Sequence, residues 1–296
     1  MSAKPYSLLI PIDFNEQSMI ALEQSYNMAK LLDYEIVLLY VLEDNDMFSG
    51  LLSRDQNQEM IVKINQKLEE TAAEVSHKSG IRVMPLLSKG KVSATILKVA
   101  EDYNARFILM GTNDSSERLR LDKNLIGANT SRVIRQAKVP VISINGKHHY
   151  DGCRSILLPL DLTKETRQKV TYAIEMAKLF NATIKVVSVL WDKGSPEVVQ
   201  HLHSQLAQVK HFIEEVQIAC DTKLIEVESG QPALAPTILE YAHSQGDIDL
   251  IIIMTQQENR LTEFFIGSAA QQIIRQSEIP VMSILPKELG FGSYAF

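Results

Sequence analysis

Cysteine is scarce in this chain. Cys153 and Cys220 are the only two, and they sit in no CxxC or Cys/His spacing. That excludes a disulfide framework and a zinc site built on cysteine. Positive charge is not in excess either: 30 Lys and Arg stand against 36 Asp and Glu, for a net charge of −6. A mildly acidic chain argues against nucleic acid or an anionic membrane surface as the main partner. No apolar run approaches membrane-spanning length. The start, Met1-Ser2-Ala3-Lys4-Pro5-Tyr6, leads into an apolar strand without the pattern of a secretory signal. These features together predict a cytoplasmic protein.

Catalytic signatures are lacking too. There is no Gly-x-Ser-x-Gly elbow and no Gly-x4-Gly-Lys-Ser/Thr loop. Nor is there a Ser-Gly-Gly-x-Asp-Ser or a His-x-Gly-His segment. His148 and His149 are adjacent in a polar stretch without ligand geometry, and His201, His203 and His211 accompany an apolar helix stripe as a solvated face. The acidic Glu43–Glu59 segment has no calcium-loop pattern and reads as an irregular surface loop. No enzyme activity, metal or obligatory cofactor is expected.

What the chain does have is a duplication. Ile134-Arg-Gln-Ala-Lys-Val-Pro-Val-Ile-Ser-Ile144 returns as Ile274-Arg-Gln-Ser-Glu-Ile-Pro-Val-Met-Ser-Ile284, with seven of eleven positions identical and a shift of 140. Nearer the start, Tyr6-Ser-Leu-Leu-Ile-Pro-Ile-Asp13 matches Arg154-Ser-Ile-Leu-Leu-Pro-Leu-Asp161 at a shift of 148, so the second copy is shorter in its middle by a net eight residues. Repeats at this scale are duplicated domains. The expected domains are 1–146 and 152–287, joined by a polar linker at 147–151 and followed by a tail at 288–296 that holds Phe291, Tyr294 and Phe296.

Each copy alternates strand and helix. Leu8–Ile12 is a short apolar strand, and Asn15 caps the helix that follows; Thr163 has that place in copy two. Leu22, Ser25, Ala29 and Leu32 recur at helical spacing, as do Val170, Ala173, Ala177 and Phe180. Second strands fall at Ile36–Leu42 and Ile184–Leu190, third at Arg82–Leu87 and Lys223–Val227, and fourth at Phe107–Met110 and Leu250–Met254. Ile61, Ile64, Leu68, Ala72 and Val75 form one intervening helix stripe, and Val199, Leu202, Leu206, Val209, Ile213 and Val216 the other. Third helices are expected near Ser93–Tyr103 and Ala235–His243. Near-continuous apolar strands alternating with helices predict an α/β fold: two repeated, doubly wound, five-stranded parallel sheets of Rossmann-like type. Ligands of such sheets bind beyond strand C-termini at the switch point.

Pro11-x-Asp13-Phe14, the strand ending at Val41, Leu109-Met110-Gly111-Thr112, Gly127 before a helix, and Val139-Pro140-Val141 resemble the universal stress protein family, here in tandem form. The resemblance covers nearly the whole chain twice. It implies adenine nucleotide alpha hydrolase-like domains that pair through their last strands, so Val139–Ile144 would face Ile279–Ile284 in an intramolecular pseudo-dimer. A further homodimer or a protein partner is open to it. Some members of the family bind ATP or AMP through Gly-x2-Gly-x9-Gly-Ser/Thr, and others bind neither.

The nucleotide positions implied in copy one are Asp13, Val41, Gly111, Thr112 and Gly127, with Asn129 and Thr130 as polar substitutes. There Asp114 replaces the second glycine, the Gly111-to-Gly127 spacing is 16 rather than 13, and Ala128 replaces the Ser/Thr. Asp114 and Glu117 add negative charge to this loop, which Arg118, Arg120 and Lys123 offset. In copy two the weaker set is Asp161, Val189, Gly267 and Ser268; the spacing of 13 is kept, but Met254 and Gln257 replace the first two glycines. A Cβ at those positions keeps backbone N–H groups away from a phosphate. The expected function is a non-enzymatic stress-response protein with degraded nucleotide motifs. The alternative is an ATP- or AMP-binding protein with slow ATPase or autophosphorylation activity in copy one.

Overall fold

The computed structural model describes residues 5–43, 54–112, 126–145, 152–162, 166–191, 195–228, 234–257, 264–265 and 267–286. Repeat one runs β1 (Ser7–Pro11), α1 (Glu16–Leu32), β2 (Glu35–Leu42), α2 (Arg54–Ser79), β3 (Val83–Lys89), α3 (Val92–Asp102), β4 (Ala105–Gly111), α4 (Ala128–Gln136) and β5 (Val141–Ile144). Repeat two runs β6 (Ser155–Pro159), α5 (Thr166–Phe180), β7 (Thr183–Trp191), α6 (Pro196–Glu214), β8 (Cys220–Val227), α7 (Leu234–Gln245), β9 (Leu250–Met254), β10 (Gln256–Gln257), β11 (Phe264–Phe265), α8 (Ser268–Gln276) and β12 (Val281–Ile284).

The ten long strands make one sheet in the order β3-β2-β1-β4-β5-β12-β9-β6-β7-β8. All neighbours within a repeat are parallel, and β5 meets β12 antiparallel. Val281 faces Ser143, Met282 faces Ile142 and Ser283 faces Val141. The seam closes two apolar edges against each other that would otherwise stand open. The Ser143 hydroxyl donates to the Val281 carbonyl across it at 3.1 Å.

Strand alternation sends side chains to two apolar layers. Leu8, Ile10, Ile36 and Leu38 face α1 and α2, whereas Leu9, Val37 and Leu39 face α3 and α4; the same division holds in repeat two. Each layer runs through the seam. Phe107 on β4 meets Phe180 at the end of α5 with ring centroids 6.3 Å apart, so an aromatic pair belonging to both repeats sits in one core. Leu22, Ser25 and Ala29 are buried as their spacing predicts, and Leu32 is half-buried.

Several boundaries differ from the sequence reading. β3 extends to Lys89 because it pairs with β2 as far as Leu42, and β8 begins at Cys220 because Ile184 pairs with it there. Glu43–Glu59 is not irregular throughout, since α2 is already helical from Arg54. The segment after β9 carries a short antiparallel hairpin, β10 with β11, that the sequence reading did not include. Thr163, the linker and the tail lie outside the described residues.

Candidate functional site

In each repeat the chain winds outward from the first strand to the second and third, then returns to the other side of the first. The crevice between β1 and β4, and between β6 and β9, is therefore the switch point where such sheets place ligands. β1 pairs with β2 only as far as Leu39, while β2 runs on to Leu42, so Val41 stands beyond the end of β1 above this crevice. Val189 stands likewise beyond Pro159, which pairs with Val187.

Asp13 opens the repeat-one crevice. Its carboxylate accepts the Asn15 backbone N–H at 3.1 Å and the Asn15 side-chain amide at 2.8 Å. Asn15 in turn caps α1 by accepting the Ser18 N–H at 2.7 Å. Asp13 thus holds the capping residue rather than capping the helix itself. Phe14 follows in the left-handed region at φ 62, and Leu162 repeats this at φ 54 in repeat two. Bulky residues rarely adopt that conformation. Phe14 is held there by stacking on Tyr40, with centroids 5.5 Å apart, and by the Lys67 ammonium 4.3 Å over its ring. Burial, and then the Asp13 charge, raise the Tyr40 phenol above its ordinary pKa.

Gly111 ends β4. A Cβ placed there would lie 2.8 Å from the Gln17 Cβ and 3.0 Å from the Gln17 carbonyl carbon, so this glycine is required for the approach of α1. Thr112 is buried, and its hydroxyl donates to the Asn145 side-chain oxygen at 3.0 Å. The Thr130 hydroxyl is also buried and donates to the Gly111 carbonyl at 3.0 Å. Both hydroxyls are engaged by protein groups. Asn129 is half-buried in the first turn of α4. Gly127 is the N-cap of α4 at φ −49, a conformation open to any residue, and its N–H donates to the Thr112 carbonyl at 2.9 Å. Asp114, Glu117, Arg118, Arg120 and Lys123 lie outside the described residues.

Repeat two is built differently. Asp161 is ion-paired at 3.0 Å with Lys169, a lysine whose side chain is only 13% exposed. Lys169 occupies the position that Ala21 has in repeat one, which sequence comparison of the repeats could have flagged. Met254 is buried at the end of β9, and the buried Thr255 hydroxyl donates to the Ile284 carbonyl at 3.3 Å. Gly267 caps α8 at φ −56 with Ser268 as its first residue. The hairpin that follows β9 brings β11 close to α4 of repeat one.

Two further features lie apart from the crevices. His201, His203 and His211 are all exposed, and among the described residues no group of three or more His, Cys, Asp or Glu could hold a metal. A cavity of about 60 Å³ lies beside α1, lined by Met28, Leu31, Ile142, Phe180, Leu250 and Cys153. Leu250 and Cys153 lie at or before the N-terminal ends of repeat two's strands, opposite to its crevice.

The fold and the crevices define a class: a duplicated α/β sheet with one switch point in each repeat and an antiparallel seam between the repeats. The universal stress protein family model matches residues 7–145 and again 152–284. The chain belongs to the universal stress protein family and carries two of its domains. A universal stress protein of Mycolicibacterium smegmatis is 20% identical over 97% of this chain and 99% of its own length. One of Methanocaldococcus jannaschii is 26% identical over 171 residues, half of this chain and 99% of its own length. The crystal structure of a universal stress protein from Archaeoglobus fulgidus superposes with a TM-score of 0.72 at 20% identity, over 95% of this chain and 97% of that one. No described helix is long and apolar enough to cross a membrane.

Proposed function

We propose that this chain is a non-enzymatic regulatory stress protein that acts by binding, with its two repeats, 1–146 and 152–287, working as one cytoplasmic unit. The observation that carries this reading is that described polar groups of the crevices are engaged by protein partners. Thr112 and Thr130 donate to Asn145 and Gly111, Asp13 is held by Asn15, and Asp161 is paired with Lys169. General acid–base or phosphoryl-transfer chemistry needs groups presented to a substrate, and these are presented to the protein.

Repeat one is the better candidate for an adenine nucleotide. It keeps Gly111 and the Gly127 helix start, and its carboxylate is not ion-paired to the lysine that repeat two has gained. Repeat two is a structural partner whose residual anion preference is limited to the N-terminus of α8. No cofactor is required under this reading, and ATP or AMP is the ligand to test.

Titration calorimetry of the full chain with ATP and with AMP tests it. The expected result is no saturable heat at micromolar nucleotide. Micromolar ATP binding that disappears in Asp13→Ala would replace this reading with that of an ATP-binding protein, and single-turnover release of phosphate would then decide slow hydrolysis.

A further inference from the structure

The last turn of a helix leaves carbonyls with no partner inside the helix. At the end of α8 the Ile273 carbonyl is taken by the Ser277 N–H at 2.9 Å. The Arg275 carbonyl is taken from outside the repeat, by the side-chain amide N–H of Asn145. Asn145 directly follows β5, so the seam delivers it to α8 of the other repeat. The oxygen of the same amide accepts the Thr112 hydroxyl at 3.0 Å. Thr112 is the residue from which the loop after β4 departs, and its carbonyl receives the Gly127 N–H at the start of α4. One amide therefore joins Thr112, at the end of β4 in repeat one, to the C-terminus of α8 in repeat two, with both of its ends used in the correct donor and acceptor sense.

The arrangement is one-sided. The residue equivalent to Asn145 in repeat two is Leu285, which has no side-chain donor or acceptor. Thr255, the equivalent of Thr112, turns its hydroxyl to the Ile284 carbonyl within its own repeat. A two-fold related contact from repeat two to the end of α4 therefore cannot form through this position. Duplication provided two equivalent positions beside the seam, Asn145 and Leu285, and only one of them carries the link.

We propose that Asn145 is an inter-repeat latch, a positioning residue that couples Thr112 at the end of β4 in repeat one to the end of α8 in repeat two. It gives the tandem chain an asymmetric connection that a symmetric pair of identical domains would lack. Nucleotide in the repeat-one crevice would act through this latch; that part rests on repeat one being the nucleotide-capable repeat, and the latch itself does not.

Amide hydrogen exchange on the full chain without ligand tests the latch, reading the Ser277 N–H in repeat two and the Gly127 N–H in repeat one. Thr112→Val, which keeps shape and removes the hydroxyl, should speed exchange at Ser277 about fivefold, although the substitution is in the other repeat. Asn145→Leu should speed exchange at both amides, and the double variant should be no faster than Asn145→Leu alone. Thr112→Ser, which keeps the hydroxyl, should restore the wild-type rate at Ser277 and guards against a packing effect of the Val. The latch is overturned if Thr112→Val leaves Ser277 unchanged, or if the two substitutions act additively there. A parallel arm adds millimolar ATP to the wild type. Binding with slowed exchange at Ser277, lost in Asn145→Leu, extends the latch to nucleotide, and binding without that effect overturns the extension. If ATP does not bind, repeat one is not a nucleotide site, and the ligand-free comparison still decides the latch.

Discussion

Ile142 faces Met282 at the centre of the antiparallel pair between β5 and β12, and the two residues are the same position of the repeat. The pseudo-two-fold axis of the molecule therefore passes between them, with Val141 opposite Ser283 on one side and Ser143 opposite Val281 on the other. This is the contact that two separate copies would make if the linker were cut. Residues 1–146 alone should consequently self-associate through β5, because that strand is fully buried in the intact chain and would be an open apolar edge without β12. Light scattering of the truncated chain should give a dimer, and Ile142→Asp in the same chain should return it to a monomer. A truncated wild-type chain that stays monomeric at high concentration would show that the seam depends on the tether.

The start of α1 depends on a short cascade in which Asp13 holds Asn15 and Asn15 caps the helix. Replacing a capping Asn by Ala costs about 1 kcal/mol. Asn15→Ala should lower unfolding free energy by about that amount. Asp13→Ala should cost about the same, because it releases the two groups that Asn15 donates. The double variant should cost little more than the worse single one, since each residue acts through the other. Denaturant unfolding measures all three, and fully additive losses would mean that Asp13 stabilises the fold by another route.

Both thiols are pushed up to about 12, Cys153 by burial and then by the Asp249 charge, and Cys220 by burial and then by Glu214. In the unfolded chain a thiol titrates near 8.5. The folded state therefore keeps its thiol protons between roughly pH 9 and pH 12, where the unfolded state has released them. Their contribution to stability is complete below the unfolded value and is lost as pH rises through that window, by at most ~1.4 kcal/mol per pH unit for each thiol. Unfolding curves above pH 9 should be flatter in a Cys153→Ala, Cys220→Ala double variant than in the wild type. At pH 8 both thiols should also react with an aromatic disulfide reagent more slowly in the folded chain than in denaturant; equal rates in the two states would contradict the protonated assignment.

The sheet and the capping role of Asn15 were legible because they rest on local pattern: apolar runs, a cap residue before a helix, and the internal repeat itself; the seam was implied by the family resemblance. The parallel, doubly wound class followed from strand-helix alternation, while the order of the strands came only from the structure. What escaped were contacts between residues far apart in sequence. Nothing local marks Asn145 as a partner of Thr112 and Arg275, which lie 33 and 130 residues away. Lys67 over Phe14 is equally silent, since a lysine on an amphipathic helix reads as solvated. The β10–β11 hairpin was hidden because its strands are two residues each and show no alternation. The glycines were visible, but what each does was not: the resemblance implied nucleotide positions, whereas the structure shows a steric requirement at Gly111 and a negative φ of −49 at Gly127.

That steric requirement gives the most direct test of what the surviving motif glycine is for. The Cβ of an alanine at 111 would meet the Cβ and main-chain carbon of Gln17 at 2.8 and 3.0 Å, distances at which something must shift. Gln17 lies in the first turn of α1, whose start is fixed by the Asn15 cap, so the helix cannot move away without breaking that cap. Overpacking of this kind costs about 1–3 kcal/mol. Gly111→Ala should therefore destabilise the ligand-free chain by that amount and loosen the N-terminal turn of α1, seen as faster exchange of the Ser18 and Met19 amides. If Gly111→Ala is as stable as the wild type but loses nucleotide binding, the glycine is kept for phosphate approach. If it is destabilised in the absence of any ligand, its first role is to seat α1 against β4, and the motif outlasted its ligand because the fold needs the same residue.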